Sequence, residues 1–129
     1  MKITFTIVRY LLGVIFLTFG LNGFLHFIPM PPPTGVAAQF FGALFVSRFY
    51  VVIFLLQIVP AILLLANRYV PLALTILGAV IFNILCFHIF MAPSGLPLAL
   101  FVAVLWAVIF VDVRPAFAAL FKPRLQARA

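Results

Sequence analysis

The sequence predicts an all-α fold, a four-transmembrane-helix bundle forming one domain over residues 1–129, with a short interfacial helix on the outer side between helices one and two. Three observations predict it. Four apolar runs, 10–28, 49–66, 71–91 and 97–114, take up most of the chain, and each reaches the roughly 17–25 residues that an α-helix needs to cross a bilayer. Hydrophobic residues make up 68% and charged residues 7% of the sequence, too few charges to coat a soluble domain. Seven of the eight Lys and Arg residues fall on one side of the runs, the asymmetry that marks the cytoplasmic face of membrane helices.

Helix one is read over 10–28. Lys2 and Arg9 ahead of it imitate a signal peptide, but the run exceeds an h-region and no small-x-small pattern precedes Pro29, so it is expected to be retained. Gly13, Gly20 and Gly23 fall within about a quarter of its circumference, and small residues mark close helix approach in lipid. The prolines of 29–35 favour polyproline II. Residues 36–47, with Phe40, Phe41, Leu44 and Phe45, then suit a helix lying in the interface. Starting helix two near Ala38 is the alternative, but it carries Arg48 into the hydrocarbon.

Helix two, 49–66, contains Pro60, which is expected to kink it. A tight turn at 67–70 leads to helix three, 71–91, with a small-residue stripe of Thr75, Gly78 and Ala79 continued by Phe82 and Cys86. The loop 92–97 precedes helix four, 97–114, where Ala99, Ala103 and Ala107 run beside Trp106. The tail 115–129 sets Phe117, Leu120 and Phe121 beside Lys122, Arg124 and Arg128. It reads either as a surface segment against anionic headgroups or as a solvated end.

Four spans place Lys2, Arg9, Arg68, Arg114, Lys122, Arg124 and Arg128 on one side and Arg48 alone on the other. Both termini are therefore expected to be cytoplasmic. The net charge of +7 is carried at helix ends rather than in a binding face, so nucleic acid is not expected as a partner. Asp112 is the only acid, which leaves no mid-membrane carboxylate of the kind proton-coupled transport uses. It is expected to form a structural ion pair with Arg9, or to pair with Arg68, because an unpaired carboxylate partly within the membrane is costly. Cys86 is the only cysteine, so dithiol chemistry within one chain is excluded. No metal-ligand set and no catalytic constellation is legible.

Five polar residues lie in the outer half of the predicted spans: Asn22, His26, Gln57, Asn83 and His88. Counted by helical rise, Asn22 lies roughly 10 Å and Gln57 and Asn83 roughly 13–15 Å below the outer loops. Facing lipid, such groups are expensive, so they are expected to point inward. They form either an interhelical hydrogen-bond network or a ligand-binding cluster for a polar headgroup or a quinone. Haem held by His26 and His88 is a weaker possibility. The stretches 22–31 and 83–93 also echo each other, each with Asn, then His, then Pro. The first spacing is four and the second five, about 40° and 140° around a helix. A shared pocket therefore requires helix three to absorb one residue, most simply in a π-bulge.

Residues 9–13 and 19–23 of helix one, 63–72 across the turn, and Asn83 with His88 resemble the DoxX family of small bacterial four-helix membrane proteins, a likeness running over residues 8–121. The resemblance implies a four-helix bundle in a bacterial inner (plasma) membrane and little about activity. The thiosulfate:quinone oxidoreductase subunit from which that family is named is not carried over, since this chain has no cysteine pair and no cofactor motif. The leading expectation is a non-catalytic or accessory membrane protein, a small subunit or scaffold, that binds a lipid-like ligand. A quinone-linked redox component is the alternative, and haem binding and small-solute transport rank lower. The bilayer is the expected partner, with partner subunits and homo-oligomerisation open.

Overall fold

A computed structural model describes residues 2–125, and among them every regular element is helical. In order these are α1 (Lys2–Leu25), α2 (Gly35–Ser47), α3 (Tyr50–Ala66), α4 (Val70–Phe90), a 3₁₀ turn (Pro93–Gly95), α5 (Leu96–Val113) and a 3₁₀ helix (Arg114–Phe121). Arg128 and its neighbours 126–129 lie outside the described residues. Among the described residues three helical stretches are long and apolar enough to cross a membrane: Lys2–Leu25, Val70–Phe90 and Pro93–Phe121. A fourth arises if α2 and α3, bent by 90° at their junction, count as one span.

The bend has a local cause. Arg48 closes α2 in the left-handed region at φ 65°, and the Ser47 hydroxyl accepts the Phe49 N–H at 3.2 Å while donating to the Leu44 carbonyl at 3.2 Å. The short helix expected over 36–47 is thus a separate element. Asn67 and Tyr69, also left-handed, make the turn between α3 and α4, with the Arg68 N–H returning to the Leu63 carbonyl at 3.0 Å. This is a Schellman-like closure. α3 passes through the buried Pro60 as one unbroken helix.

α1 packs against α3 and α5, and α4 packs against α3 and α5, so four helices enclose one core. Leu12, Ala61, Leu64, Ala73, Leu74, Leu77 and Ile109 are fully buried in it. The glycine stripe of α1 faces α3. A Cβ placed at Gly13 would lie 2.9 Å from Leu65, and one at Gly20 would lie 2.7 Å from Ile58. One at Gly23 would meet the Phe54 ring. The α4 stripe behaves differently. Thr75, Ala79 and Phe82 are exposed, and α4 instead buries Ala73, Leu74, Leu77 and Ile81. The Thr75 hydroxyl needs no neighbouring helix, because it donates to the Pro71 carbonyl at 2.9 Å. Trp106 of α5 packs over Gly78 and donates its indole N–H to the Leu74 carbonyl at 2.8 Å.

α1 is displaced from its expected bounds. It begins at Lys2 rather than near Tyr10 and ends at Leu25. Arg9 therefore lies within the helix, about 10 Å from its start, and is 4% exposed. Its Nη1 donates to the Leu64 carbonyl, one of the last four carbonyls of α3, and its Cζ sits 4.6 Å from the Tyr10 ring centroid. The expected Arg9–Asp112 ion pair does not form: no ion pair is present among the described residues. Asp112 is exposed in an open cleft beside Thr4 and Phe5, more than one helical turn nearer the start of α1 than Arg9. The negative end of α3 takes the role intended for the carboxylate.

Candidate functional site

The C-terminus of α1, all of α2, the N-terminus of α3 and the C-terminus of α4 meet at one end of the structure. Asn22 organises the first of these. It is 8% exposed, its Oδ1 accepts the Ile28 N–H at 2.7 Å, and its carbonyl accepts the His26 N–H at 2.9 Å. One residue thus closes α1 with both backbone and side chain. His26 follows in the left-handed region at φ 53°, so it is no longer on the helical face it would share with Asn22. Its side chain is exposed, with its ring centroid 6.1 Å from that of Phe45.

Gln57 is buried at 8% exposure in α3, and its Cβ lies 3.4 Å from a Cβ placed at Gly20 of α1. Its amide makes no hydrogen bond among the described residues, and neither amide atom is sealed from its surroundings. The side chain is mostly buried while its amide stays reachable and unpaired, so it can take a donor or acceptor from outside.

The two candidate site residues of α4 are satisfied locally. α4 is regular over 81–90, with no π-bulge, so Asn83 and His88 diverge by about 140°. Asn83 is exposed and its Nδ2 donates to the Ala79 carbonyl at 2.8 Å. His88 is half-buried, its Nδ1 donates to the Ala92 carbonyl at 3.0 Å, and its ring packs on Gly95. Asn22 and Gln57 thus share the α1–α3 contact, while His26, Asn83 and His88 have separate surroundings. Among the described residues no group of three or more His, Cys, Asp or Glu side chains forms a metal site.

What fills this end instead is a continuous set of aromatic rings. Phe87 of α4 lies 5.6 Å from Phe40 and 5.3 Å from Phe41 of α2. Phe41 leads to Phe45 at 6.5 Å, and Phe45 stacks on Tyr50 of α3 at 4.6 Å. Tyr50 meets Phe24 of α1 at 5.9 Å and Phe54 at 6.4 Å. His88 and His26 flank the array, on Phe87 and Phe45. Seven rings from four helices therefore form a wall at the end of the α1–α3 contact that holds Gln57. No protein-family model, curated protein or solved structure matches this chain. The site stands on its own geometry. Sequence reasoning singled out the polar residues, read Phe40, Phe41 and Phe45 only as part of an interfacial helix, and did not join them to Phe24, Tyr50, Phe54 and Phe87. Their signal was the concentration of Phe and Tyr at the ends of successive apolar runs, the position of an aromatic belt.

Proposed function

We propose that this is a four-span, non-catalytic protein of a bacterial inner membrane, DoxX-like in architecture, that binds a lipid-like amphiphile at the α2 end. The distribution of bases supports the placement. Lys2, Arg68, Arg114, Lys122 and Arg124 cluster away from α2, and Arg48 alone lies beside it. On this reading both termini are cytoplasmic, α2 lies in the outer interface and α3 is the fourth span. Reporters fused after Ala129 or inserted at Arg68 are expected to report cytoplasm, and one at Ser94 the outer side. A cytoplasmic signal at Ser94 overturns the topology.

The observation that carries the ligand reading is the conjunction of the aromatic wall with the Gln57 amide, which is accessible and without a hydrogen-bond partner among the described residues. Flat rings accept acyl chains or a planar head, and an amide offers N–H donors to a carbonyl and a carbonyl acceptor to a hydroxyl. The same conjunction suits a quinone, whose ring stacks on aromatic faces and whose carbonyl accepts from an amide. The stacked Phe45–Tyr50 pair, inclined by 28°, favours this as the second reading.

The test is mass spectrometry of small molecules that co-purify with the native protein, with Gln57→Leu and with Tyr50→Ala. A species retained by the native protein and depleted at least tenfold in both variants is expected. A phospholipid or a quinone among the retained molecules decides between the two readings. Identical lipid profiles for all three proteins count against the site.

A further inference from the structure

We propose that the segment following α5 is a docking surface for anionic phospholipid, lying flat on the leaflet at the end opposite α2. The proposal rests on the membrane placement above and is independent of the ligand at the α2 end. The 3₁₀ helix Arg114–Phe121 turns every three residues. Arg114, Phe117 and Leu120 therefore form one edge and Pro115, Ala118 and Phe121 the next. The third, Ala116 and Ala119, leads to Lys122.

Phe117 is 7% exposed, belongs to the core with Val70 and Ile109, and packs on Phe110 at 5.0 Å. It pins the segment back against the helices instead of letting it extend away from them. Beyond that pin the core supplies nothing further to cover. Leu120, Phe121 and Leu125 are 70%, 78% and 99% exposed.

Bases accompany these apolar side chains. Arg114 opens the segment, and Lys122 and Arg124 stand beside Phe121 and Leu125, all exposed. The nearest acid, Asp112, lines the same cleft as Arg114 without forming an ion pair with it, and no acid lies among residues 113–125 to neutralise Lys122 and Arg124. Water suits the bases but not three large apolar side chains. A second copy of this chain would bring the same positive charge against itself. An anionic leaflet satisfies both sets at once, with Leu120, Phe121 and Leu125 among the acyl chains and the bases at the phosphates.

Each base near such a surface favours docking by about fivefold, so reversing two of them lowers the docked-to-undocked ratio at least about 25-fold. The full chain, with Cys86→Ser and an environment-sensitive dye on Leu120→Cys, is reconstituted in phosphatidylcholine vesicles with and without phosphatidylglycerol. Dye emission is expected to move to the blue when phosphatidylglycerol is present. It should return in about 1 M salt, where the Debye length falls to about 3 Å, and with Lys122→Glu plus Arg124→Glu. Emission independent of phosphatidylglycerol overturns the proposal. So does a blue shift that follows the protein-to-lipid ratio, which marks a second copy as the occupant. The salt and lipid series need no charge variant, so they stand even if that variant folds poorly. Loss of the ligand at the α2 end would leave these signals unchanged.

Discussion

Replacing Arg9 with glutamate is expected to destabilise the protein by about 3–5 kcal/mol, the range for leaving a buried charge without a partner. Arg9 is 4% exposed and its guanidinium faces the C-terminal carbonyls of α3. That helix end carries the equivalent of about −0.5 charge, so a carboxylate there meets repulsion and finds no donor. Arg9→Met should behave very differently. The Leu64 carbonyl keeps the Asn67 N–H as a donor at 3.2 Å, and the substitution removes an Nε that has no partner. The apolar stem is retained, so a change within about 1 kcal/mol is expected, one hydrogen bond against one relieved polar atom. Reversible unfolding of the two variants in detergent micelles measures the difference. Equal damage from both would mean that the Arg9 hydrogen bond itself, not the sign of the charge, holds α1 to α3.

That arrangement also explains where the sequence misled. A lysine and an arginine before an apolar run read as flanking charges, which sets the expected start of helix one at Tyr10. The Arg9 side chain is long enough to bury its stem and set its head on a neighbouring helix end, which lets the charge sit inside the helix. No pattern in one strand of sequence reports a partner on another helix, and the same blindness produced the expected Asp112 pair. The other end failed for a different reason. Asn22 reaches forward to the Ile28 N–H and closes α1 before His26, and side-chain closure of this kind leaves no trace in hydropathy.

α2, by contrast, was legible. The base after it favours a separate helix over an early start of helix two near Ala38, and the left-handed Arg48 supplies the bend. The candidate site was legible only in part. Gln57 points inward, as an amide among apolar residues is expected to. Asn83 carries the same expectation, yet it satisfies itself on the carbonyl one turn back. Deciding between those outcomes needs the rotation of α4, which the five-residue Asn–His spacing poses as a question without answering. The aromatic wall needs the 90° turn at Arg48 as well, since that turn carries Phe40, Phe41 and Phe45 over to Phe87 and Tyr50.

The second large effect is expected at Gly23. A methyl group there would run into the Phe54 ring, which is held by Phe24 at 6.1 Å and Tyr50 at 6.4 Å and has little room to retreat. Overpacking of this kind costs about 1–3 kcal/mol for Gly23→Ala, with a larger loss for Gly23→Val. Gly42 provides the contrast. It lies in α2 with nothing within 4 Å of a Cβ, so Gly42→Ala removes only the helix penalty of glycine and should stabilise by up to about 1 kcal/mol. The two substitutions are chemically identical, and only the neighbour differs. Combining Gly23→Ala with Phe54→Leu should recover much of the loss, and a double-mutant cycle should return a coupling of at least about 0.5 kcal/mol. Because Phe54 belongs to the aromatic wall, Gly23→Ala should also weaken retention of the co-purifying amphiphile, whereas Gly42→Ala should not. Additive effects of Gly23→Ala and Phe54→Leu would show that α1 and α3 are not held at this contact, and the link between helix packing and the site would fall with it.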